Sequence, residues 1–239
     1  MKLFLSITLS LLFMGSELFG QQKRFSFGVK AGVNFSNAKE FTNDYTHGGN
    51  PKAKWGYQVG FSTDYSVTNS VYFQSGLSLT TKGTRHQGAE IWIGSTTPPT
   101  TFWESTTNQV YLQLPLLLGY KINLSNLAKM RVNAGPYIAY GIGGKEIIKE
   151  KTIPASVRDD KRFTSDTFGK DYRRYSPYNL KRQDYGISLG LGIDYKKVVL
   201  SFDYQVGLLN VAEANERDTA PLPVDYRNRN LSLIVGYIF

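Results

Sequence analysis

The sequence predicts an all-β protein: an eight-stranded antiparallel up-and-down transmembrane β-barrel with short periplasmic turns and four long extracellular loops. Three observations support this fold class. The chain starts with a segment laid out like a secretory signal peptide, eight later segments alternate large apolar residues with small or polar ones, and the connectors alternate between long and short. The chain has no cysteine, so no disulfide contributes to its stability.

The first twenty residues contain Lys2, an apolar run from Leu3 to Met14 and a small residue, Gly20. This layout predicts a signal peptide at 1–20 and a mature barrel domain at 21–239. The apolar run is too short for a spanning helix, and no later stretch reaches the roughly 20 apolar residues that such a helix needs. Any membrane span is therefore expected to be a β-strand, and the predicted location is the cell outer membrane.

Eight segments have a side-chain period of two, which is typical of strands. In the first of them, Phe25, Val29 and Phe35 fall on one face, and Ser26 and Lys30 fall on the other. The predicted strands are Phe25 to Phe35, Trp55 to Tyr65, Val71 to Lys82, Val110 to Ile122, Met130 to Gly143, Tyr185 to Tyr195, Val198 to Leu208 and Leu231 to Phe239.

The connectors between these strands alternate in length without exception. With both chain ends in the periplasm, all four long connectors face the outside of the cell, as in single-chain bacterial barrels. The long connectors are Ser36 to Lys54, Gly83 to Gln109, Gly144 to Asp184 and Leu209 to Asn230. The short turns are Ser66 to Ser70, Asn123 to Lys129 and the pair Lys196 and Lys197.

A period of two does not say which face points inward, so a soluble lipocalin-like barrel is the competing fold. Eight strands enclose just enough room for side chains to fill, and roughly five large apolar residues per strand would not fit inside. The opposite face consists mostly of Gly, Ser, Gln and Asn and has no Glu, which is unlike a soluble exterior. The apolar face is therefore assigned to lipid.

Six charged residues on the predicted inner face of the strands form two groups by depth. Depth along the strands places Lys30 and Asp203 near the middle of the barrel, where we expect them to form an ion pair, because buried charges need partners. The other four fall near the periplasmic mouth and are expected to form a network that plugs the pore: Asp64, Lys121, Arg131 and Asp194. The alternative is that all six charges are hydrated separately in a wet lumen.

Two prolines, Pro115 and Pro136, lie mid-strand in adjacent strands at similar depth. Each removes one hydrogen-bond donor from the ladder. A β-bulge is therefore expected at this level of the barrel.

Two long connectors have compositions that suggest contacts. Gly144 to Asp184 holds eleven Lys and Arg against seven Asp and Glu, which supplies +4 of the formal net charge of +9. It is expected to contact the phosphates of outer-leaflet glycolipid, or else to be a solvated loop of mixed charge. Nucleic acid is not an expected partner, because this loop faces outward. The apolar residues of the second connector either contact a partner or extend the aromatic girdle formed by Trp55, Tyr57 and Tyr120; they are Ile91, Trp92, Ile93, Phe102 and Trp103.

Catalysis is not expected. The only histidines are His47 and His86, and neither has a second ligand at metal-binding spacing. A surface hydrolase using His86, Asp44 and a loop serine is conceivable, but no nucleophile motif supports it. We therefore expect no catalytic site, no cofactor and no metal.

Four motifs together resemble the PorT-like outer-membrane β-barrel family, over essentially Phe25 to Phe239: YLQLPLLLGYK (Tyr111 to Lys121), NAGPYIAYG (Asn133 to Gly141), DYGISLGLGIDY (Asp184 to Tyr195) and YQVGLLN (Tyr204 to Asn210). The resemblance implies insertion by the barrel-assembly machinery, which recognises a C-terminal strand that ends in an aromatic residue. It thereby implies that Tyr237 and Phe239 act as the insertion signal. The namesake of the family supports protein secretion by the type IX pathway, while most similar proteins have no assigned role.

The sequence thus leads to three hypotheses on function. The first is a non-enzymatic outer-membrane barrel that is structural or accessory to envelope assembly or protein secretion, with secretion-complex proteins as possible partners. The second is a surface binding or adhesion module that uses the long loops. The third, a narrow pore, is disfavoured because eight strands leave little open lumen.

Overall fold

The computed structural model describes residues 24–42, 51–91, 100–153, 160–169, 178–214 and 224–239. The predicted signal peptide at 1–20 lies outside these residues. Within the described part of the chain, no helix is long and apolar enough to cross a membrane. The strands are β1 (Phe25–Thr42), β2 (Lys54–Ser66), β3 (Val71–Ile91), β4 (Thr100–Asn123), β5 (Ala128–Gly143), β6 (Lys145–Ile153), β7 (Lys161–Asp166), β8 (Tyr178–Leu180), β9 (Gln183–Tyr195), β10 (Val198–Gly207), β11 (Ala212–Ala214) and β12 (Val224–Ile238).

Eight of these strands form a closed antiparallel ring in the order β3, β2, β1, β12, β10, β9, β5 and β4, which the pairing of β3 with β4 completes. Each strand of the ring pairs with the next ring strand along the chain, and the last pairs with the first. The predicted eight-stranded up-and-down barrel is therefore confirmed.

The strands of the ring are staggered. A row of paired residues that starts at Asn34 of β1 runs once round the ring and ends at Arg24, ten residues earlier. Its members are Ser232, Asp203, Gly190, Asn133, Gly119, Tyr72 and Ser66. Such a stagger requires the strands to tilt by about 35–45° from the barrel axis. Side chains that meet in the lumen therefore come from positions that differ along their strands.

The two faces of the barrel wall differ as the strand pattern predicts. Large apolar side chains point outward, where Trp55, Phe61 and Leu118 are 72%, 68% and 61% exposed. Polar side chains such as Asn34 and Gln113 point inward and are buried. A continuous apolar belt of this kind would cause a soluble protein to associate, whereas in a bilayer lipid covers it.

Tight turns close the periplasmic ends of the hairpins. The backbone amide of Val67 donates to the carbonyl of Val71 in one turn (2.9 Å), and Leu124 donates to Ala128 in another (3.0 Å). In the two-residue turn between β9 and β10, Lys196 has a φ of 55°. Residues other than glycine seldom adopt this left-handed backbone conformation except in tight turns.

The extracellular side is more ordered than the sequence predicts. The expected loops Gly83 to Gln109 and Gly144 to Asp184 contain strand: β3 continues to Ile91, β4 begins at Thr100, and β6 and β7 add to the free edge of β4. We call the upper parts of β3 and β4 together with β6 and β7 the external sheet. The predicted strands end where the alternating apolar pattern ends. In the structure, β3 and β4 remain hydrogen-bonded to each other beyond that point, where their side chains face water instead of lipid.

The bulge predicted at Pro115 and Pro136 is not where the register changes. Pro136 pairs with Ile187 in the continuous register of β5 and β9, and the shift between β4 and β5 lies between Val110 and Tyr111. The hydroxyl of Ser75 donates to the carbonyl of Pro115 at 2.9 Å. A side chain thus supplies a donor to the ladder at this point, and the prediction of a bulge there is wrong.

Candidate functional site

A charged network crosses the lumen near its periplasmic end, built from the four residues that the sequence placed there. We call Asp64, Lys121, Arg131 and Asp194 the lower network. The Arg131 guanidinium lies 2.7 Å from Asp194 Oδ2 and 3.3 Å from Asp64 Oδ2, and Lys121 Nζ lies 3.4 Å from the same Asp64 oxygen. Two carboxylates and two cations thus neutralise each other across strands β2, β4, β5 and β9.

Tyr72 forms one side of this network and was missed by the sequence analysis. Its ring is buried, with Lys121 Nζ 4.6 Å and the Arg131 guanidinium carbon 5.3 Å from its centroid. The ring occupies the place where a side chain at Gly119 would lie. Cations over a tyrosine face are stabilised by the ring quadrupole. The available signal was strand parity, since Tyr72 shares the inner face with Gln74, which donates to Asp64 at 2.9 Å.

Lys30 and Asp203 line the same cavity of about 40 Å³, which Asp64 and Arg131 of the lower network also line. The expected direct pair is not formed: among the described side chains, no contact within 4 Å joins these two groups. β12 separates their strands, and Lys30 is paired with Gly236 whereas Asp203 is paired with Ser232. Asp203 turns toward the opposite neighbour, β9, where Gly190 leaves the space that its carboxylate occupies. The cavity has room for a few water molecules and several polar partners for them.

A second charged group, in the extracellular half of the lumen, is absent from the sequence-based predictions. Lys82 Nζ lies 2.9 Å from Asp184 Oδ2, and neither side chain is exposed at all. The Asn228 amide donates to the same carboxylate oxygen at 3.1 Å. The ammonium lies 4.2 Å from the ring centroid of Tyr137 and 5.4 Å from that of Tyr111.

We call these five residues, Lys82, Tyr111, Tyr137, Asp184 and Asn228, the upper network. Hydrogen bonds extend it, since Tyr111 donates to Gln109 (2.9 Å) and Gln109 donates to the Tyr226 hydroxyl (3.0 Å). Lys82 ends a predicted strand and Asp184 ends a predicted loop, and neither was assigned to the lumen, although Lys82 has the same strand parity as Tyr72. Ionic or aromatic side chains therefore cross the lumen near both ends.

Strand β6 of the external sheet has one basic and one acidic face. Along β6, Lys145, Lys149 and Lys151 are exposed, while Glu146 and Glu150 are buried with Ile148. The buried Trp103 packs against Ile148. The Ser105 hydroxyl donates to Glu146 Oε1 at 2.7 Å. This face alternation arises because β6 is an extended strand rather than the loop that the sequence predicted.

The histidine that the hydrolase hypothesis used lies beside a carboxylate. His86 Nε2 is 2.7 Å from Glu40 Oε2. Ser105 is the cross-strand partner of His86, but its hydroxyl is directed at Glu146. His47 and Asp44 lie outside the described residues, as do Trp92 and Ile93 of the second connector. In the described part of the chain, no three His, Asp or Glu side chains are grouped as a metal ion requires.

The C-terminal residues lie on the lipid-facing surface at the periplasmic end. Tyr237 and Phe239 are 43% and 68% exposed, with ring centroids 5.7 Å apart. The Phe239 amide donates to the carbonyl of Phe27 at 2.9 Å, which fixes the terminus to β1. Their role as an insertion signal remains a prediction.

Solved structures of outer-membrane proteins are similar to this chain in fold. OprG from Pseudomonas aeruginosa is 12% identical with a TM-score of 0.45, covering 90% of this chain and 95% of OprG. Ail of Yersinia pestis, solved with the heparin analogue sucrose octasulfate, is 12% identical with a TM-score of 0.39, covering 90% of this chain and 99% of Ail. Neisserial surface protein A is 13% identical with a TM-score of 0.36, covering 89% and 97%.

No curated protein sequence matches the chain. One family matches it over residues 19–213, and that family is described as the outer membrane protein beta-barrel domain. The match covers most of the chain, and it agrees with the closed ring and its lipid-facing apolar belt. The chain therefore belongs to the outer membrane protein beta-barrel domain family and is a protein of the cell outer membrane.

Proposed function

We propose that the protein is a non-enzymatic, non-conducting barrel with a structural or accessory role in envelope assembly or protein export, as in the PorT-like proteins that it resembles. The observation that carries this proposal is that two separate ionic networks cross the lumen. A substrate pathway through eight strands would need that space. The contact surfaces then lie outside the lumen, on the external sheet and on the barrel wall.

Secretion is tested by comparing the proteins exported by a deletion strain with those exported by its parent. We expect the deletion to reduce a defined set of secreted proteins, and we expect plasmid-borne wild-type protein to restore them. Proteins that co-purify from native membranes would then identify the secretion-complex partners. An unchanged secretome would remove the export role.

Conduction is tested separately with purified protein in planar bilayers. We expect no steady conductance from the wild-type barrel, because Lys82, Asp184 and Arg131 form contacts across the lumen at two levels. Steady single-channel conductance would overturn the non-conducting part of the proposal and would favour a narrow pore.

A surface binding or adhesion module is the second candidate. It is favoured by the outer face of the external sheet, where Phe102 and Ile153 are 49% and 47% exposed beside Lys149 and Lys151. Exposed aromatic and basic residues together are typical of recognition surfaces. Attachment of cells that carry wild-type protein, lost in a Phe102→Ser/Lys149→Ser variant with unchanged surface abundance, would support this candidate over export.

A further inference from the structure

We propose that the outer rim of the barrel at the seam of β1 and β12 is a binding site for the phosphate groups of an outer-leaflet glycolipid. We call Lys39, Arg227 and Arg229 the rim cluster. The proposal goes beyond the accessory role above and depends only on the location of the barrel in the outer membrane. It also places the glycolipid contact on the barrel wall rather than on the basic connector Gly144 to Asp184.

The rim cluster begins where the lipid-facing surface of these two strands ends. Outward side chains of β12 are apolar from Tyr237 to Leu231, and the next outward position along the same face is Arg229. On β1, Phe35 is outward and apolar and pairs with Leu231, and the next two outward positions are Asn37 and Lys39. Two residues along a strand span about 7 Å. The first cation therefore lies at the depth of the lipid headgroups, directly above the hydrocarbon.

Like charges lie close together in this cluster. Lys39 and Arg227 are direct cross-strand partners, and like charges in that position destabilise a sheet. Arg229 follows two residues later on the same face, paired with Asn37. The Asp225 carboxylate lies 2.9 Å from Arg227 Nε and offsets one of the three charges. Glu40, the neighbour of Lys39 in sequence, points inward to His86. Among the described residues, the cluster thus keeps an excess of positive charge.

An aromatic pair lies immediately below the rim cluster. Phe35 and Trp55 have ring centroids 5.2 Å apart, and their side chains are 44% and 72% exposed. Aromatic residues favour the boundary between headgroups and hydrocarbon. Acyl chains beside Phe35 and Trp55 would position a phosphate at Arg229, and a guanidinium binds phosphate through two hydrogen bonds. A glycolipid would contact both the aromatic pair, through its acyl chains, and the rim cluster, through its phosphate. A free anion would contact only the cations of the rim cluster.

The test uses full-length barrel refolded in phosphatidylethanolamine vesicles with bisphosphorylated lipid A as the probe. Retention of lipid A through detergent extraction is measured by native mass spectrometry. The test variant is Lys39→Ala/Arg229→Ala, whose substituted side chains are exposed. The matched control is Lys149→Ala/Lys151→Ala, which removes the same charge from the external sheet. Heat-dependent gel mobility verifies that each variant is folded.

We expect the rim variant to weaken lipid A retention by roughly 30-fold, from about a fivefold loss for each cation at the membrane surface. We expect the control variant to change lipid A retention by less than about twofold. We expect the wild type to retain dephosphorylated lipid A no better than the rim variant retains lipid A. The proposal is overturned if the rim variant retains lipid A as the wild type does, or if the control variant loses as much. It is also overturned if the dephosphorylated lipid binds equally, or if millimolar inorganic phosphate or a sulfated polysaccharide displaces the bound lipid A.

Discussion

The two charged networks of the lumen use the same faces of the same barrel but differ in burial and in the number of charges. The upper network has one ion pair, Lys82 and Asp184, with no exposure of either side chain. The lower network shares two acids between two bases, and Lys121 and Asp194 keep 15% and 11% of their side-chain surface exposed. A single dry pair makes each partner indispensable to the other, whereas a wet network can redistribute its contacts.

The largest expected effect is that of Asp184→Ala in the upper network. It leaves the Lys82 ammonium buried without a counter-charge, and we expect a loss of about 3–5 kcal/mol in the free energy of unfolding. Urea titration of the barrel in lipid vesicles, followed by tryptophan fluorescence, measures the change. The double variant Lys82→Met/Asp184→Leu is the control and should recover most of the loss. If the single and double variants are equally destabilised, the ion pair is not the cause.

A smaller effect is expected for Arg131→Ala in the lower network. The substitution removes the guanidinium from both Asp64 and Asp194, but Lys121 still neutralises Asp64 and water reaches the site. We expect a loss of about 2–3 kcal/mol in the same urea titration, below that of Asp184→Ala. Arg131→Lys should restore part of it. A loss larger than that of Asp184→Ala would reverse the comparison between the two networks.

The packing of the lower network is tested through Gly119. A methyl group there would collide with the Tyr72 ring, whereas a methyl group at Gly143 meets no atom within 4 Å. We expect Gly119→Ala to lower the free energy of unfolding by about 1–2 kcal/mol, because the displaced ring no longer covers the cations. Gly143→Ala is the control and should change little. If Gly119→Ala and Gly143→Ala lower the free energy of unfolding equally, the loss comes from replacing a glycine in the backbone rather than from displacing the Tyr72 ring.

The smallest effect is expected for Lys121→Ala. Its ammonium is partly exposed and lies 3.4 Å from an Asp64 carboxylate that Arg131 already contacts. We expect a change below about 1 kcal/mol in the free energy of unfolding, because Arg131 still neutralises Asp64. An effect comparable to that of Arg131→Ala would mean that Lys121 holds the network together.

Strand parity was enough to predict much of the site. It assigned Asp64, Lys121, Arg131 and Asp194 to the inner face near one mouth, where the structure joins them. It did not predict which residues share a cross-section, because that depends on the stagger between strands. For this reason the expected Lys30 and Asp203 pair is not formed, while Lys82 meets Asp184 from a strand on the far side of the ring.

The sequence by itself determined the class of fold and the side that faces lipid, because alternation with a period of two is a local property of each strand and eight strands cannot enclose that much apolar volume. Only the tertiary structure decided the upper network, the external sheet and the rim cluster. Each of these arises from register between strands distant in sequence, and register is set by hydrogen bonding around the whole ring rather than by any one segment. The charge at Arg229 was visible in the sequence, but its alignment beside Lys39 and Arg227 above Phe35 required the closed barrel.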